Sequence, residues 1–599
     1  MTNYSREMAE KQAIGARFVP TPQDRKIADE IAGGTLSLFP HESWALPERP
    51  TWREDPFKDT NWVFQYHTLR WLDPLRRQAS EGNPEDLAVW LRYAESWIEA
   101  NPPGKGVSRF SWADMVDGAR SLTFAFALPA IEDHRPESLG LILNSLEEHG
   151  TWLEDPMHIK VGNHALQQHQ GLLIIGAVLE KPEWVDLALS RCVEMVKTAY
   201  DDQGMNEEGA PQYHHMNFTW WSLIRKRFEI AMGSSPAIFD RILKAPEGLA
   251  HATRPDGRFE MIGDTEEFAN GGVEHPAVRY VKSSGRTGAP PRDLVKIFDR
   301  GYVFGRDSWG TPDKPFVDTA FYSLRFGHQK QIHGHQDGMA LTLFKNRESF
   351  LLDSGKYSYD VHDPMRVHLL TREAHNSLVI KDAAYNPQST VQLLSHDVGN
   401  HSQTYTFVDD GYSGARLYRT VTISLGSKAM VVQDRFVADR HVEAQQWWHF
   451  APRASHRREG SSFFVRSARN EARFFVLEPD YLLSVAEGRK DPVQGWYSPT
   501  WKETVASRAL SVSTHGTRST LTTVVAFDSE AEHATLHHVD SLSDDHSVIH
   551  ITRKDGTVAT VVIGDGWGLI REGAASAQDA AVIIEDANLQ PAKFDWSTP

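Results

Sequence analysis

The hydrophobic period of this chain changes once, near residue 300, and that single change restricts its architecture more than any motif. From about residue 60 to 290, apolar residues recur at i, i+3, i+4 and i+7, as on one face of an α-helix. The spacing predicts helices over Asp24–Gly34, Trp62–Ala79, Glu85–Ala100, Ser111–Leu128, Arg135–His149, Asn163–Glu180, Pro182–Tyr200, Gln212–Gly233 and Pro236–Thr253. Their short linkers carry Pro, Gly, Asp and Asn. No fixed-period repeat is visible, so paired helices in a toroid are expected over a solenoid, with a straight bundle as the alternative. From residue 302 onward, Val-, Thr-, Phe- and Tyr-rich runs alternate with Gly, Asp and Asn. They include Phe316–Phe326, Ala340–Phe344, Arg416–Ile423, Ala429–Val437, Ala444–Phe450 and Thr520–Phe527. Such a series predicts stacked antiparallel sheets. The expected fold is therefore α+β and multidomain: an N-terminal (α/α) toroid, then a C-terminal antiparallel β-sandwich. The expected boundaries are a lead-in over 1–60, a helical domain over 61–300 and a β-domain over 301–599, with Ser283–Arg292 as linker.

A chain of 599 residues is too long for one core. Its 63 basic and 80 acidic residues give a net charge of −17, which argues against nucleic acid and against an anionic membrane surface as partners. The single cysteine, Cys192, excludes an internal disulfide. The N-terminus has no apolar signal-like core, and no long apolar run marks a membrane span, so a cytoplasmic location is expected; a trimmed secreted form is compatible with the same sequence. Homo-oligomerisation is left open.

The densest chemistry lies between His328 and Asp382. His333 and His335 flank one glycine in H-G-H-Q-D, and on a strand residues i and i+2 share a face. Asp353 ends the next apolar run before a Ser-Gly turn, and His375 opens another strand. Adjacent strand ends would bring His335, Asp353 and His375 together as an N/O ligand set for zinc. The plainer alternative is unrelated polar residues in a sheet, since the chain holds 28 histidines. His328 is a further imidazole open to either role.

Two stretches of the helical region complete the inventory. Val161–Gly171 (V-G-N-H-A-L-Q-Q-H-Q-G) places Asn163 and His164 at a helix start, where Asn is a favoured N-cap. Asp201–Trp221 runs from a loop into a helix and offers Glu207, Glu208, Tyr213, His214 and His215. A cap and a core tyrosine would equally satisfy these local patterns. Trp112 and Arg120 share a helix that would line the inside of a toroid.

Taken together, the G-N-H helix start, the Glu208-to-Tyr213 E-x-x-x-x-Y loop, G-D-T at Gly263–Thr265, H-G-H-Q-D, L-L-D-S-G-K-Y-S-Y and R-E-A-H-N-S-L-V-I-K-D resemble the heparinase II/III-like polysaccharide lyases, including the related alginate and oligoalginate lyases. The resemblance covers most of the chain. It implies an (α/α) toroid joined to antiparallel sheets and cleavage of glycosidic bonds next to a uronic acid by β-elimination. That reaction removes the C5 proton of a uronate and expels O4, so a group must neutralise the carboxylate and stabilise the enolate-like intermediate. The resemblance assigns this to Asn163 with His164. It makes Tyr213 the general acid, in some members also the base, and His333 the base or its support. His335, Asp353 and His375 correspond to a structural divalent metal site, with Zn2+ as the expected ion. Glu208 would position Tyr213 or contact an acidic oligo- or polysaccharide; Tyr357, Tyr359, Arg366 and Arg372 would bind its sugars or, equally, pin the strand-to-loop crossing. Lys356 departs from the small or polar residue expected in its motif.

Two other classes fit parts of this inventory. A zinc-dependent hydrolase would use the same histidines around a catalytic ion. A glycoside hydrolase would need two carboxylates, such as Glu207, Glu208, Asp264 or Glu266, about 5–10 Å apart.

Overall fold

The structure is a computed structural model, and it describes residues 3–267, 271–478, 480–528, 531–543 and 546–574. The chain forms two compact units, Met1–Ala199 with Asn217–Ile242, and Tyr200–Met216 with Leu243–Pro599. Residues 200–216 and 243–300, expected within the helical domain, thus belong to the second unit. The linker expected at Ser283–Arg292 lies inside that unit, between a helix at Pro276–Lys282 and a strand at Val295–Phe298.

The first unit is helical, as the period predicts. Pro84–Ala100, Gly162–Val178 and Pro182–Ala199 match their expected spans closely. Two others differ for local reasons. The helix expected over Trp62–Ala79 stops at His67, where Leu69 takes a left-handed φ of 55°, and restarts at Asp73 with Pro74 in its first turn. The helix expected from Ser111 begins at Val116, because Asp114 is also left-handed (φ 66°) and accepts the Met115 N–H at 2.7 Å. Helices Val116–Ala125 and Gly162–Val178 cross with backbones almost touching: a Cβ on Gly171 would lie 2.6 Å from the Gly118 Cα. Only glycine permits this approach. Trp112 and Arg120, expected on an inner face, are instead core. The Arg120 guanidinium lies 3.6 Å from the Trp97 ring centre and donates to the His67 and Ser111 carbonyls at 3.0 and 2.7 Å. Trp112 packs on His149 at 4.3 Å between centroids.

The second unit is dominated by antiparallel strands. Strands Ala429–Pro452 and Val505–Phe527 pair along their length, with a register shift between Val437 and Val442. That irregularity explains why the sequence reads as two strands, Ala429–Val437 and Ala444–Phe450, where one continues. Alternation along the strand divides the interior. Met430 and Val432 face a core shared with Leu324, Leu341, Phe350 and Leu378. Ala429 and Val431 face a second core with Ile549, Val561 and Ile570. The first core is closed by the meander Val295–Phe298, Tyr302–Arg306, Phe321–Arg325, Leu341–Lys345 and Glu348–Leu351. The second is closed by a four-stranded sheet over residues 535–572. The expected order of a helical part followed by antiparallel sheets is what the structure has.

One buried ion pair fixes the segment that carries His375. Arg419 and Asp434 face each other across strands Ala415–Ser424 and Ala429–Pro452, with both Nε and Nη2 at 2.6 Å from the carboxylate. The remaining Arg419 nitrogen donates to the Met339 and Asn376 carbonyls at 2.8 and 2.6 Å. Asn376 in turn donates to the Leu341 and Leu352 carbonyls and accepts the His449 N–H. Arg419→Ala leaves Asp434 buried and unpaired and is expected to cost about 3–5 kcal/mol; chemical denaturation of the variant against wild type measures it.

Candidate active site

Five short segments of the second unit converge on one carboxylate. The loop Asn206–Ala210 leads into helix Pro211–Met232, whose first turn carries Tyr213. Gly263–Asp264–Thr265 follows Pro255-Asp256-Gly257. His333 and His335 occupy a turn, Asp353 to Tyr359 follow strand Glu348–Leu351, and helix Pro364–Leu369 carries Arg366. The segments are laced by backbone: Gly209 N–H donates to Ile332 O, and Asp264 N–H to His333 O, each at 2.8 Å. Gly263 sits at φ 58° with the Gly209 and His333 carbonyls where a Cβ would be, so glycine is required there.

The expectation that His333 and His335 share a strand face is not met. His333 is left-handed, at φ 58°, in a turn closed by Gly334 N–H to Gln331 O. Both imidazoles nevertheless reach Asp264: His333 Nδ1 lies 3.0 Å from one oxygen and His335 Nε2 3.1 Å from the other. Arg366 Nη1 donates to the latter oxygen at 2.5 Å. Burial works against the charge on Asp264, but these hydrogen bonds hold its carboxyl well below the usual carboxylate range. An ionised carboxylate only accepts, so His333 carries its donor proton on Nδ1 and His335 on Nε2. The lone pair of His333 is then on Nε2, 3.8 Å from Glu208 Oε2.

The Tyr213 ring stacks on the His333 imidazole, with centroids 3.4 Å apart and planes 11° apart. Its hydroxyl hydrogen-bonds the Tyr359 hydroxyl. Burial raises the Tyr213 phenol, the Tyr359 bond lowers it, and the charges of Asp264, Glu208 and Glu266 raise it further; the net shift is upward. Lys356, which departs from the expected motif, donates to Tyr359 at 3.2 Å and pairs with Glu266 at 3.1 Å. Trp501 lies 5.4 Å from Tyr359 and is the one exposed tryptophan among the described residues.

Behind Asp264 lies a second group. One ligand atom each from His335, Asp353 and His375 fall within 4.8 Å of one another. The two histidine side chains are fully buried and Asp353 nearly so. Asp353 accepts from His375 Nδ1 at 2.9 Å and from Gly355 N–H at 3.0 Å. His335 Nδ1 and His375 Nε2 are buried without hydrogen-bond partners. Two orphaned imidazole nitrogens beside a carboxylate fit a divalent metal with N/O preference.

Other expected residues fall elsewhere. Arg372 is buried, pairing with Asp409 at 3.1 Å and bonding Tyr385, so it supports the β-structure and presents nothing to a ligand. His328 pairs with Thr390 on a two-residue strand, and His214 bonds the Asn206 N–H and Ala245 O as a buried neutral ring, so neither joins the cluster. Tyr357 is half-buried at φ 63°. Among the described residues, Glu207 makes no hydrogen bond or ion pair with the cluster, whereas Glu208 approaches His333 at 3.8 Å.

Asn163 and His164 belong to the first unit. The N-cap of their helix is Val161, so Asn163 lies inside the first turn and does not cap it. His164 Nδ1 bonds Asp114, and both Asn163 and His164 line a cavity of about 230 Å³. Asp264 as a hub was legible only as part of G-D-T, and no sequence signal links Asp114 to His164.

Residues 24–234 match the heparinase II/III N-terminus, and residues 321–538 match the heparinase II/III-like C-terminal domain. No curated protein matches the chain. Among solved structures, a heparan sulfate lyase HepC mutant from Pedobacter heparinus is similar over 93% of each chain, with a TM-score of 0.75 at 16% identity. A heparinase III structure is similar over 93% of this chain and 94% of its own, with a TM-score of 0.73 at 16% identity. Two matched domains in the same order, covering most of the sequence and carrying the stacked Tyr213 and His333, place the chain in the heparinase II/III-like family of polysaccharide lyases, carbon–oxygen lyases that act by β-elimination.

Proposed function

We propose that the protein cleaves the bond at O4 of a uronate in an acidic glycan, with Tyr213 as general acid and His333 as base. The observation that carries this reading is the stack of Tyr213 on His333, with His333 held by Asp264 at 3.0 Å. His333 Nε2 takes the C5 proton; the C5–H electrons form the C4–C5 double bond as the C4–O4 bond breaks. The raised phenol keeps Tyr213 protonated at neutral pH, suited to giving its proton to the leaving oxygen. Tyr359 and Lys356 relay hydrogen bonding to that hydroxyl. Asp264 keeps the imidazole in the tautomer the base needs. Asn163, with His164, neutralises the substrate carboxylate so that C5–H becomes acidic enough to lose. Glu208, Tyr357, Tyr359 and Arg366 contact the sugars around the broken bond, with Arg366 also holding Asp264. The solved relatives described as heparan sulfate lyase and heparinase III make a sulfated uronate polymer the first substrate to test.

His335, Asp353 and His375 hold a structural divalent ion, for which Zn2+ fits the donor set. Bound there, it supplies a rigid cross-link between the segments that carry these residues. Their burial supports this role over that of a hydrolytic centre, because substrate has no access to the ligand atoms. The glycoside hydrolase reading finds less support: Asp264 is held ionised by three donors, so it does not serve as a proton donor, and Glu266 is engaged by Lys356.

Tyr213→Phe removes only a hydroxyl. It is expected to lower turnover about 10²–10⁴-fold with substrate affinity and melting temperature nearly kept; unaltered kcat would remove Tyr213 from the chemistry. His375→Ala is expected to abolish stoichiometric metal, measured by atomic emission, and to lower Tm together with it. A chelator should lower wild-type Tm and leave the His375→Ala value unmoved; unchanged metal content in the variant would rule out the triad.

A further inference from the structure

The first unit holds a group of arginines that make no ion pair among the described residues. Arg17 and Arg70 line the cavity of about 230 Å³ that Asn163, His164, Gln167 and Trp220 also line. Arg227 lies behind its wall, with its guanidinium 5.5 Å from the ring centre of Phe18, another lining residue. Arg70 Nε is buried without a hydrogen-bond partner, as are Nε and Nη1 of Arg227. Arg227 Nη2 donates to Ile14 O at 3.0 Å. Among the described residues, none of the three makes an ion pair.

The neighbouring arginines show that this is not a local shortage of acid. Arg77 pairs with Asp24 at 2.6 Å and with Asp73 at 2.8 Å, and Arg76 pairs with Asp73 at 3.0 Å. Asp73 forms its ion pairs with Arg76 and Arg77 and acts on Arg70 only through space, so it compensates Arg70 in part. In a chain of net charge −17, a fully buried Arg227 and a half-buried Arg70 without ion pairs, beside an exposed Arg17, are costly. Burial and the charge of Arg17 push Arg70 down to about 9, and burial and the charge of Arg70 do the same to Arg227. A buried cation set against like charges awaits an anion, and a guanidinium suits a planar or tetrahedral oxyanion. The cavity's polar amides and the Trp220 ring fit the rest of a sugar.

We propose that this cavity binds an oxyanionic substituent, a sulfate ester or a carboxylate, on a sugar of the substrate, with Arg17 and Arg70 as its ligands and Arg227 adding charge from behind. This rests on the reading of the protein as a lyase of acidic glycans and adds to it the residues that hold such a group. Binding, unlike cleavage, does not depend on Tyr213 or His333, so the two readings fail separately.

The test uses the full chain, thermal unfolding and calorimetry, with chloride replaced by sulfate at constant ionic strength. Wild type is expected to gain Tm in sulfate. Arg70→Met is expected to match or exceed wild-type Tm in chloride, since like-charge repulsion is relieved, and to lose the sulfate increment. Arg17→Met, at an exposed position, is expected to fold as wild type and lose most of the increment; it decides the matter if Arg70→Met does not fold. A lower Tm of Arg70→Met in chloride with an undiminished increment would make Arg70 a structural cation and overturn the proposal. Equal increments in all three proteins would be a general salt effect and would overturn it too. With sulfated and desulfated uronate oligosaccharides, Arg17→Met is expected to bind about tenfold more weakly than wild type. A loss confined to the sulfated ligand identifies the sulfate ester as occupant; an equal loss identifies the carboxylate; no loss with either refutes the site.

Discussion

The Asp264 carboxylate is the interaction on which the rest of the second unit's chemistry depends. One oxygen holds His333, the other holds His335 and Arg366. Because the group stays ionised, it fixes the proton on opposite nitrogens of the two rings. His333 is left with a free lone pair on Nε2, on the side of Glu208, and His335 with one on Nδ1, toward Asp353 and His375. On the function proposed above, a single side chain thereby prepares one imidazole for proton transfer and the other for a metal. His333 and His335 do most to offset the burial of this carboxylate, and Arg366 adds a charged donor to them.

The surroundings explain why such an arrangement holds its shape. The His333 turn, the Gly263 bend and the Gly209 loop are joined backbone to backbone, so the imidazole and the carboxylate cannot drift apart independently. His375 is positioned from behind by Asn376, which is locked to three strands and to the Arg419–Asp434 pair. The geometry of the cluster is thus borrowed from buried polar networks in the sheets, whose partial loss would be felt at a distance.

The period change near residue 300 and the order of the motifs made the fold class and the family legible before any coordinates, because alternation and helical spacing are local properties. The triad His335, Asp353 and His375 was legible as well, through its residue types. What local patterns could not show was geometry set by tertiary contact. H-G-H looks like strand and is a turn, since His333 adopts a left-handed conformation to pass under Gly263. Arg372 looks like a ligand for acidic sugars and is a buried partner of Asp409. Lys356 looked out of place and proves to be the counterion of Glu266. Asp264 was visible only as part of a short motif and as one of four candidate carboxylates, because its importance lies in three partners 69 to 102 residues away in sequence.

The central claim is elimination at a uronate, and short-ultraviolet absorbance tests it most directly. The purified chain is incubated with a panel of sulfated and unsulfated uronate glycans while absorbance and reducing ends are followed together. The account predicts that both rise in step, since each broken bond leaves one C4–C5 double bond and one new end. New reducing ends without absorbance would mean hydrolysis and would contradict it.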